Sequence, residues 1–264
     1  MPELAEVAFY ASKWSLGIAE RIRKVDASKK PRCLRDLDHQ ELKNALVGGS
    51  LQTIETHGKQ MLMGFCRGSW MGIHLGMTGS LRVAEFGESR LKHDHFVIET
   101  EKRLLVFSDP RQFGRVRLSI GEGRPDWWKS LGIEVLSEEF DYGLFRSFCE
   151  RRKNAVLKTF LLNQELFPGV GNWMADEILW KARLRPNRRV ISLDTSEQKA
   201  LFKALKFVCR GAMEYIAPDW SDPPKSWLFK HRWKDGGICP QTGKLLRREQ
   251  IGGRTTCWSE AWQK

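Results

Sequence analysis

The stretch QMLMGFCRGSWMGIHLGMTGSLRVA, residues 60–84, sets the architecture of the first half of the chain. It holds three short apolar runs, at Gln60–Phe65, 70–75 and Ser80–Ala84, with glycines in or between them. Five glycines in 25 residues argue against a helix, because each costs about 1 kcal/mol in a helix interior. Short runs punctuated by glycine suit antiparallel strands and tight turns instead. The same pattern extends across residues 46–118, with further runs at 95–100, Leu104–Ser108 and 114–120. Many short strands at close spacing predict a pair of packed sheets or a flattened barrel.

On either side the periodicity changes. Residues 3–20 read as a helix, with Val7, Tyr10, Ala11, Trp14 and residues 16–18 on its buried side. Residues 131–140 (LGIEVLSEEF) read as a connection, after which Tyr142–Arg151, 155–162, 173–182 and 195–217 carry apolar residues at helical spacing. Pro218, Pro223 and Pro224 are expected to break that pattern. Two extended pieces, 244–250 and 255–258, flank Gly252-Gly253, a hairpin signal. The predicted fold is α+β: an N-terminal β-sandwich or flattened barrel with a leading helix, then a helical domain ending in a β-hairpin. The boundaries are 1–130, a hinge at 131–142, a helical domain at 143–225 and the hairpin at 226–264.

The formal charge is +12, a property of proteins that meet a polyanion as well as of some that are merely basic. Its distribution favours the first. Arg151, Arg152 and Lys153 form one cluster, Arg183, Arg185, Arg188 and Arg189 a second, and a third near the end surrounds Trp233. Clustered cations among aromatics suit a surface that tracks phosphates. No stretch is apolar enough to span a membrane and the first residues lack a secretory pattern, so the expected location is the cytoplasm or nucleoid. Six scattered cysteines suit reduced thiols in that compartment. Nothing in the sequence calls for an oligomer, and a monomer is expected.

The opening residues MPELAEV carry the first chemical signal. Removal of Met1 exposes the secondary amine of Pro2, and an α-amino group with a pKa of about 7.7–8.0 is partly unprotonated near neutrality. Such an amine can attack a sugar carbon and form an iminium, an electron sink for elimination. Glu3 beside it can protonate a leaving oxygen or shuttle protons, and Glu6, one turn on, can face the same way. By itself, proline followed by acids is also an ordinary helix start.

The opening resembles the N-terminus of the formamidopyrimidine-DNA glycosylase/endonuclease VIII family, with Ala5 where the family usually has a second proline. Four more segments match in order. HGKQML at 57–62 resembles the β-domain lysine motif, and HLGMTGSL at 74–81 resembles HLGMSGSL. KHDH at 92–95 with DPRQFG at 109–114 resembles KHDH and DPRRFG. LLNQ at 161–164 through GVGNWMADE at 169–177 resembles the helix–two-turn–helix signature.

The resemblance implies damaged double-stranded DNA as partner, and a bifunctional glycosylase/AP lyase acting by β,δ-elimination. It assigns catalysis to Pro2, Glu3 and Lys59. Contact with DNA falls to His93, Arg111, Lys153 and Asn172, with Glu6 and His74 in support. The backbone N–H groups at Gly169–Asn172 are expected to hold a phosphate. Met77, Arg111 and Phe113 match the family's gap-filling trio, which plugs the duplex once the target nucleotide is extruded. All three are of the formamidopyrimidine-branch types, implying 8-oxoguanine or formamidopyrimidine lesions. Taken singly, Lys59 is a solvated lysine, and Met77 and Phe113 are packing residues.

The family's terminal zinc finger is where the pattern breaks. Its four cysteine positions fall on Cys239, Thr242, Ser259 and Trp262, and Cys257 lies two residues from the third, roughly 6–7 Å away along a strand. Zinc needs about four placed N, S or O ligands. No metal or other cofactor is therefore expected, and the hairpin is a zincless finger with Trp258 and Trp262 packed where the metal would be. Arg254 matches the finger arginine and is expected to reach a phosphate and support δ-elimination. The stretch APDWSDPPKSW (217–227) departs from the family's base-covering loop. A scaffold that binds abasic or distorted DNA without excising bases is the competing reading.

Overall fold

The computed structural model describes residues 1–27 and 31–264. Two compact units emerge, one of residues 1–2 and 6–131, the other of residues 3–5 and 132–264.

The first unit contains two four-stranded antiparallel sheets. One has the order β1-β6-β7-β5, from Ile22–Ala27 (β1), Ser80–Ala84 (β5), Asp94–Thr100 (β6) and Leu104–Ser108 (β7). The other has the order β2-β3-β4-β8, from Leu51–His57 (β2), Gln60–Phe65 (β3), Ser69–His74 (β4) and Arg115–Ile120 (β8). Strand alternation turns Met61, Met63, Met71, Ile73, Phe96, Ile98, Leu105 and Phe107 into one core. Helix α1 (Leu4–Trp14) adds Val7, Ala11 and Trp14 to it at helical spacing.

That helix is shorter than predicted. After Trp14 the chain makes one 3-10 turn at Ser15–Gly17, Ala19 takes a positive φ of 64°, and Leu16 is 58% exposed rather than buried. Gly17 lies so close to Leu105 that a Cβ would come within 2.8 Å of its side chain. Strands β1 and β2 lack a strong apolar period, and the largely polar helix α2 (His39–Leu46) buries only Leu42 and Leu46. β1 (IRKVDA) is a sheet edge, where charge is the usual protection against further pairing. Helix α2 is marked by its cap, the Asp38 carboxylate accepting from Glu41 N at 2.7 Å. A short helix α3 (Asp126–Lys129) follows β8.

The second unit is built from α4 (Tyr142–Arg151), α5 (Leu157–Leu161), α6 (Asn172–Lys181) and α7 (Thr195–Asp219). Its core includes Phe140, Phe145, Phe148, Phe160 and Phe167. Of the segment read as a hinge, residues from Gly132 onward belong to this unit, with Val135 and Phe140 in its core. Helix α7 starts with a full capping box, Asp194 and Glu197, and runs through Pro218 rather than stopping before it. Pro218 lacks the N–H that would bond Glu214 O, but only one such bond is lost, and the helix closes on Trp220, whose backbone is left-handed and whose N–H donates to Ile216 O. The hairpin of β9 (Arg247–Ile251) and β10 (Arg254–Trp258) turns on Gly252 and Gly253, with φ values of 59° and 72°, as a two-residue turn of the primed type requires.

Helix α6 is buried from Trp173 to Trp180, including Asp176 and Glu177. Glu177 Oε2 accepts from Phe229 N at 2.9 Å, and Lys181 Nζ lies 3.9 Å from Oε1. Burial pushes the Glu177 carboxyl up to about 7, against the opposing pull of Lys181, the Leu228 and Phe229 N–H groups and Arg232. Folding therefore favours its protonated form. That contribution is complete below the ordinary carboxyl range and disappears as pH rises through about 7. Chemical denaturation at pH 5 and pH 8 is expected to show a loss on the order of 2 kcal/mol that Glu177→Gln does not show. Equal losses in both proteins would refute the assignment.

Candidate active site

In the second unit, Glu3 lies just ahead of α1 and is 2% exposed. Its Oε2 accepts from Gly171 N at 2.8 Å and Met174 N at 3.2 Å, and its Oε1 from Trp173 N at 2.9 Å. Three N–H donors at a helix N-terminus, reinforced by the helix dipole, stabilise a carboxylate. Gly171 is required there, because any Cβ would overlap the Glu3 carboxyl group. Leu4 N donates to Gly169 O at 3.0 Å, so residues 3 and 4 are both pinned. Pro2, half-buried, is the residue immediately before this anchor. Of the N–H groups at Gly169–Asn172, that of Gly171 is taken by Glu3, that of Gly169 by Gln164 Oε1 and that of Val170 by Phe167 O.

Asn172, the first residue of α6, donates its Nδ2 to Thr255 O at 2.8 Å, while its buried Oδ1 has no hydrogen-bond partner among the described residues. Its amide is therefore partly committed to the hairpin. Arg254, first residue of β10, is exposed. The hairpin tip reaches α5, where a Cβ on Gly252 would overlap Thr159. Asn172 and Arg254 are thus brought together through Thr255. Lys153 is exposed in the turn after α4.

The first unit assembles a second group. Lys59 sits with Gly58 in the two-residue turn between β2 and β3, where His57 faces Gln60. Met77 lies half-buried on the turn from β4 to β5, and Arg111 and Phe113 on the loop before β8, both exposed. Asp109 staples these loops: its Oδ1 accepts from Thr78 Oγ1 and its Oδ2 from Gly114 N, both at 2.7 Å, and Thr78 Oγ1 accepts from Arg111 N. Gly76 (φ 62°) touches the Phe113–Gly114 backbone so closely that no side chain fits. The Arg111 guanidinium lies 4.8 Å from the Phe113 ring centroid. His93 joins through its carbonyl, which accepts from Asp109 N, and His95 Nε2 pairs with Asp109 O. His74 Nδ1 accepts from Gly76 N, which suits a supporting role. Burial, with Lys59 and Arg117 nearby, holds its imidazole below the ordinary range and thus neutral. Glu6 lies along α1 near Tyr10, whose phenol is raised by burial and by this acid.

The four former ligand positions of the finger do not fit zinc. They offer one thiol, two hydroxyls and an indole, and no cluster of three or more His, Cys, Asp or Glu side chains able to hold a metal occurs among the described residues. Burial works to raise the Cys239 thiol. The polar groups of Thr242, Ser259, the Gln241 backbone and Trp180 around it nevertheless bring it below its ordinary value. Neither Ser259 Oγ nor Trp180 Nε1 has a hydrogen-bond partner among the described residues. Trp262 packs here as expected, its Nε1 donating to Trp180 O at 3.1 Å with Arg183 stacked on it. Trp258 does not: its Nε1 donates to Glu249 at 2.6 Å, outside this small core. Of the stretch read as a base-covering loop, 217–219 are helical and Trp227 is buried beside Phe207 and Tyr215.

Asp109, Asp176 and Arg232 were not singled out by the sequence reading. An acid before proline at a loop start, and two acids inside an apolar helical run, are the signals that mark them. Replacing Asp109 with Ala orphans Gly114 N and the Thr78 hydroxyl. It should cost about 1–3 kcal/mol in denaturant unfolding and weaken binding to lesion-bearing duplex. A loss confined to stability, with unchanged DNA affinity, would separate Asp109 from the gap-filling loops.

Comparison with known proteins agrees with this arrangement. Residues 1–116 match the formamidopyrimidine-DNA glycosylase N-terminal domain and residues 131–219 its H2TH domain. The chain is 32% identical to the formamidopyrimidine-DNA glycosylase of Laribacter hongkongensis and 31% identical to that of Syntrophomonas wolfei, with all of this chain and all of each relative covered. It is similar to the Lactococcus lactis Fpg (MutM) solved with N7-benzyl-Fapy-dG containing DNA, at a TM-score of 0.88 and 26% identity over the full length of both chains. A MutM complex with carbocyclic 8-oxo-G containing DNA gives the same score, identity and coverage. The chain therefore belongs to the formamidopyrimidine-DNA glycosylase family.

Proposed function

We propose that the protein is a bifunctional DNA glycosylase/AP lyase that removes oxidised purines, with 8-oxoguanine and formamidopyrimidine as its leading substrates. The observation that carries this reading is the Glu3 carboxylate seated on three N–H groups of α6, which fixes the residue next to Pro2. With Met1 removed, the Pro2 nitrogen attacks C1′ of the extruded nucleotide. The N–C1′ bond forms, the C1′–base bond breaks and the base departs with that electron pair, taking up a proton. Ring opening transfers the C1′–O4′ pair to O4′, which is protonated, and leaves an iminium at C1′. Loss of a C2′ proton then expels the 3′ phosphate, and loss of a C4′ proton expels the 5′ phosphate. Glu3 steadies developing positive charge at C1′, takes the proton that Pro2 loses as the N–C1′ bond forms, and passes it to O4′ as the ring opens.

Met77, Arg111 and Phe113 fill the vacated gap. Lys59, His93, Lys153, Asn172 and Arg254 meet phosphates, Arg254 assisting the δ step. Glu6 and His74 support. The protein acts on double-stranded DNA as a monomer in the cytoplasm or nucleoid; among the described residues no helix is long and apolar enough to cross a membrane. Its finger works without zinc, on the strength of the donor set at positions 239, 242, 259 and 262.

Borohydride reduction with 8-oxoguanine and abasic duplexes is expected to trap a covalent adduct, reduced at least about a hundredfold in Pro2→Gly. No adduct with either DNA, in protein shown to lack Met1, would leave only a binding module. Elemental analysis of the purified protein should find well below one zinc per chain, and a chelator should leave cleavage unchanged. One tightly bound zinc per chain would overturn the metal-free finger.

A further inference from the structure

Asp176 is enclosed on every side, and its carboxylate gathers three separate segments. Oδ1 accepts from Lys158 Nζ of α5 at 2.5 Å. Oδ2 accepts from Arg232 Nη2 at 2.5 Å, Arg232 Nε at 3.2 Å and Cys257 N of β10 at 2.9 Å. Arg232 is 5% exposed and immediately follows the 3-10 turn Leu228–His231. Four residues earlier on α6, Asn172 holds Thr255 O, two residues before Cys257.

These spacings match. Positions i and i+4 of a helix are separated by about 6 Å along its axis. Positions i and i+2 of a strand are separated by about 6.6–6.8 Å and lie on the same side. Asn172 and Asp176 therefore form a two-rung side-chain ladder along β10, one rung donating to a carbonyl and the other accepting from an N–H. A slip of β10 by one residue loses both rungs. Arg254 is the residue next to the first rung.

The geometry points to Asp176 and Arg232 as positioning residues that lock the register of β10 on α6 and so aim Arg254 at its phosphate. Arg232 keeps the Asp176 carboxylate turned toward the strand, and Lys158 balances its other oxygen. This inference rests on the reading of Arg254 given above. It also goes further, assigning to a carboxylate and a guanidinium the fastening of a finger whose former ligand positions cannot hold a metal.

The test uses the full-length protein on an abasic duplex, with three readouts: borohydride-trapped adduct, the δ-product as a fraction of all cleavage, and hydrogen exchange at the Cys257 amide. In Arg232→Met, trapping should stay within about twofold while the δ fraction falls at least about fivefold. Exchange at Cys257 should rise about tenfold or more without change in the middle of α7. Arg232→Lys should recover part of both effects. Arg232→Gln, which retains an amide donor, serves for the same readouts if Arg232→Met does not fold. A merely structural role predicts that trapping, β-product and δ-product fall in parallel with no recovery by lysine, and that result overturns the proposal. So does unchanged Cys257 exchange with an unchanged δ fraction. Arg254→Ala is run beside them. If it keeps its δ-product, the role given to Arg254 fails by itself, and the ladder is decided on Cys257 exchange alone: faster exchange in Arg232→Met supports it and unchanged exchange overturns it.

Discussion

The second unit depends on a carboxylate buried where a helix begins. The first N–H groups of α6 have no partner within their own helix, and leaving them bare in a dry interior would cost about 1–3 kcal/mol each. Glu3 satisfies two of them, at Trp173 and Met174, together with the N–H of Gly171 just before the helix. The chemistry of the N-terminus follows from this. A residue held by three charge-assisted bonds gives its neighbour a fixed starting point, so Pro2 projects from an anchored segment rather than a loose chain end. Gly171 is the counterpart of that choice, since the carboxylate occupies the space a side chain would need.

Charge balance explains how so many ions are tolerated in one interior. Lys158 donates to both Asn172 O and Asp176, and its ammonium is lowered by burial but held up by Asp176 and Glu3. Asp176 in turn takes Arg232. Two acids and two cations therefore compensate one another, with backbone groups filling the remaining valences. The hairpin region is tied to α6 by many directional bonds, together with Trp180 and Trp262 in a small apolar core.

The β architecture, the long helices and the hairpin turn were legible because period and glycine placement report them directly. β3, β5 and β7 fall where alternation placed them, and Gly252-Gly253 where a primed turn demanded. What escaped had a different origin. β1 and α2 are largely polar segments whose structure comes from a sheet partner and an Asp38 cap, neither of which leaves a strong apolar period. Helix α7 outran Pro218 because a proline in the last turn costs one i→i−4 bond and leaves no further helix beyond it to interrupt. In the site, motif positions were legible but their partners were not. Nothing local says that the N–H groups after Gly169 are taken by a residue 168 positions away, or that Asn172 is shared with a strand carbonyl. Long-range hydrogen bonds are written in three dimensions only.

A common rule runs through both units: acids turn inward to organise backbone, and cations remain outside. Among the described residues, Glu3, Asp94, Asp109, Asp176 and Glu177 are buried, against Lys158 and Arg232. The surface is consequently more positive than the formal +12 suggests. Asp109 fastens the loops that carry Met77, Arg111 and Phe113 through Thr78 and the Gly114 backbone, without drawing the Arg111 guanidinium into an ion pair. Asp176 does the same for the strand that begins at Arg254. Had these loops been fixed by surface ion pairs, each pair would have spent a cation that a phosphate needs, and each would have weakened with salt. Using buried carboxylates on backbone N–H groups separates the two tasks, so that rigidity comes from acids and affinity for a polyanion from the cations they leave uncommitted.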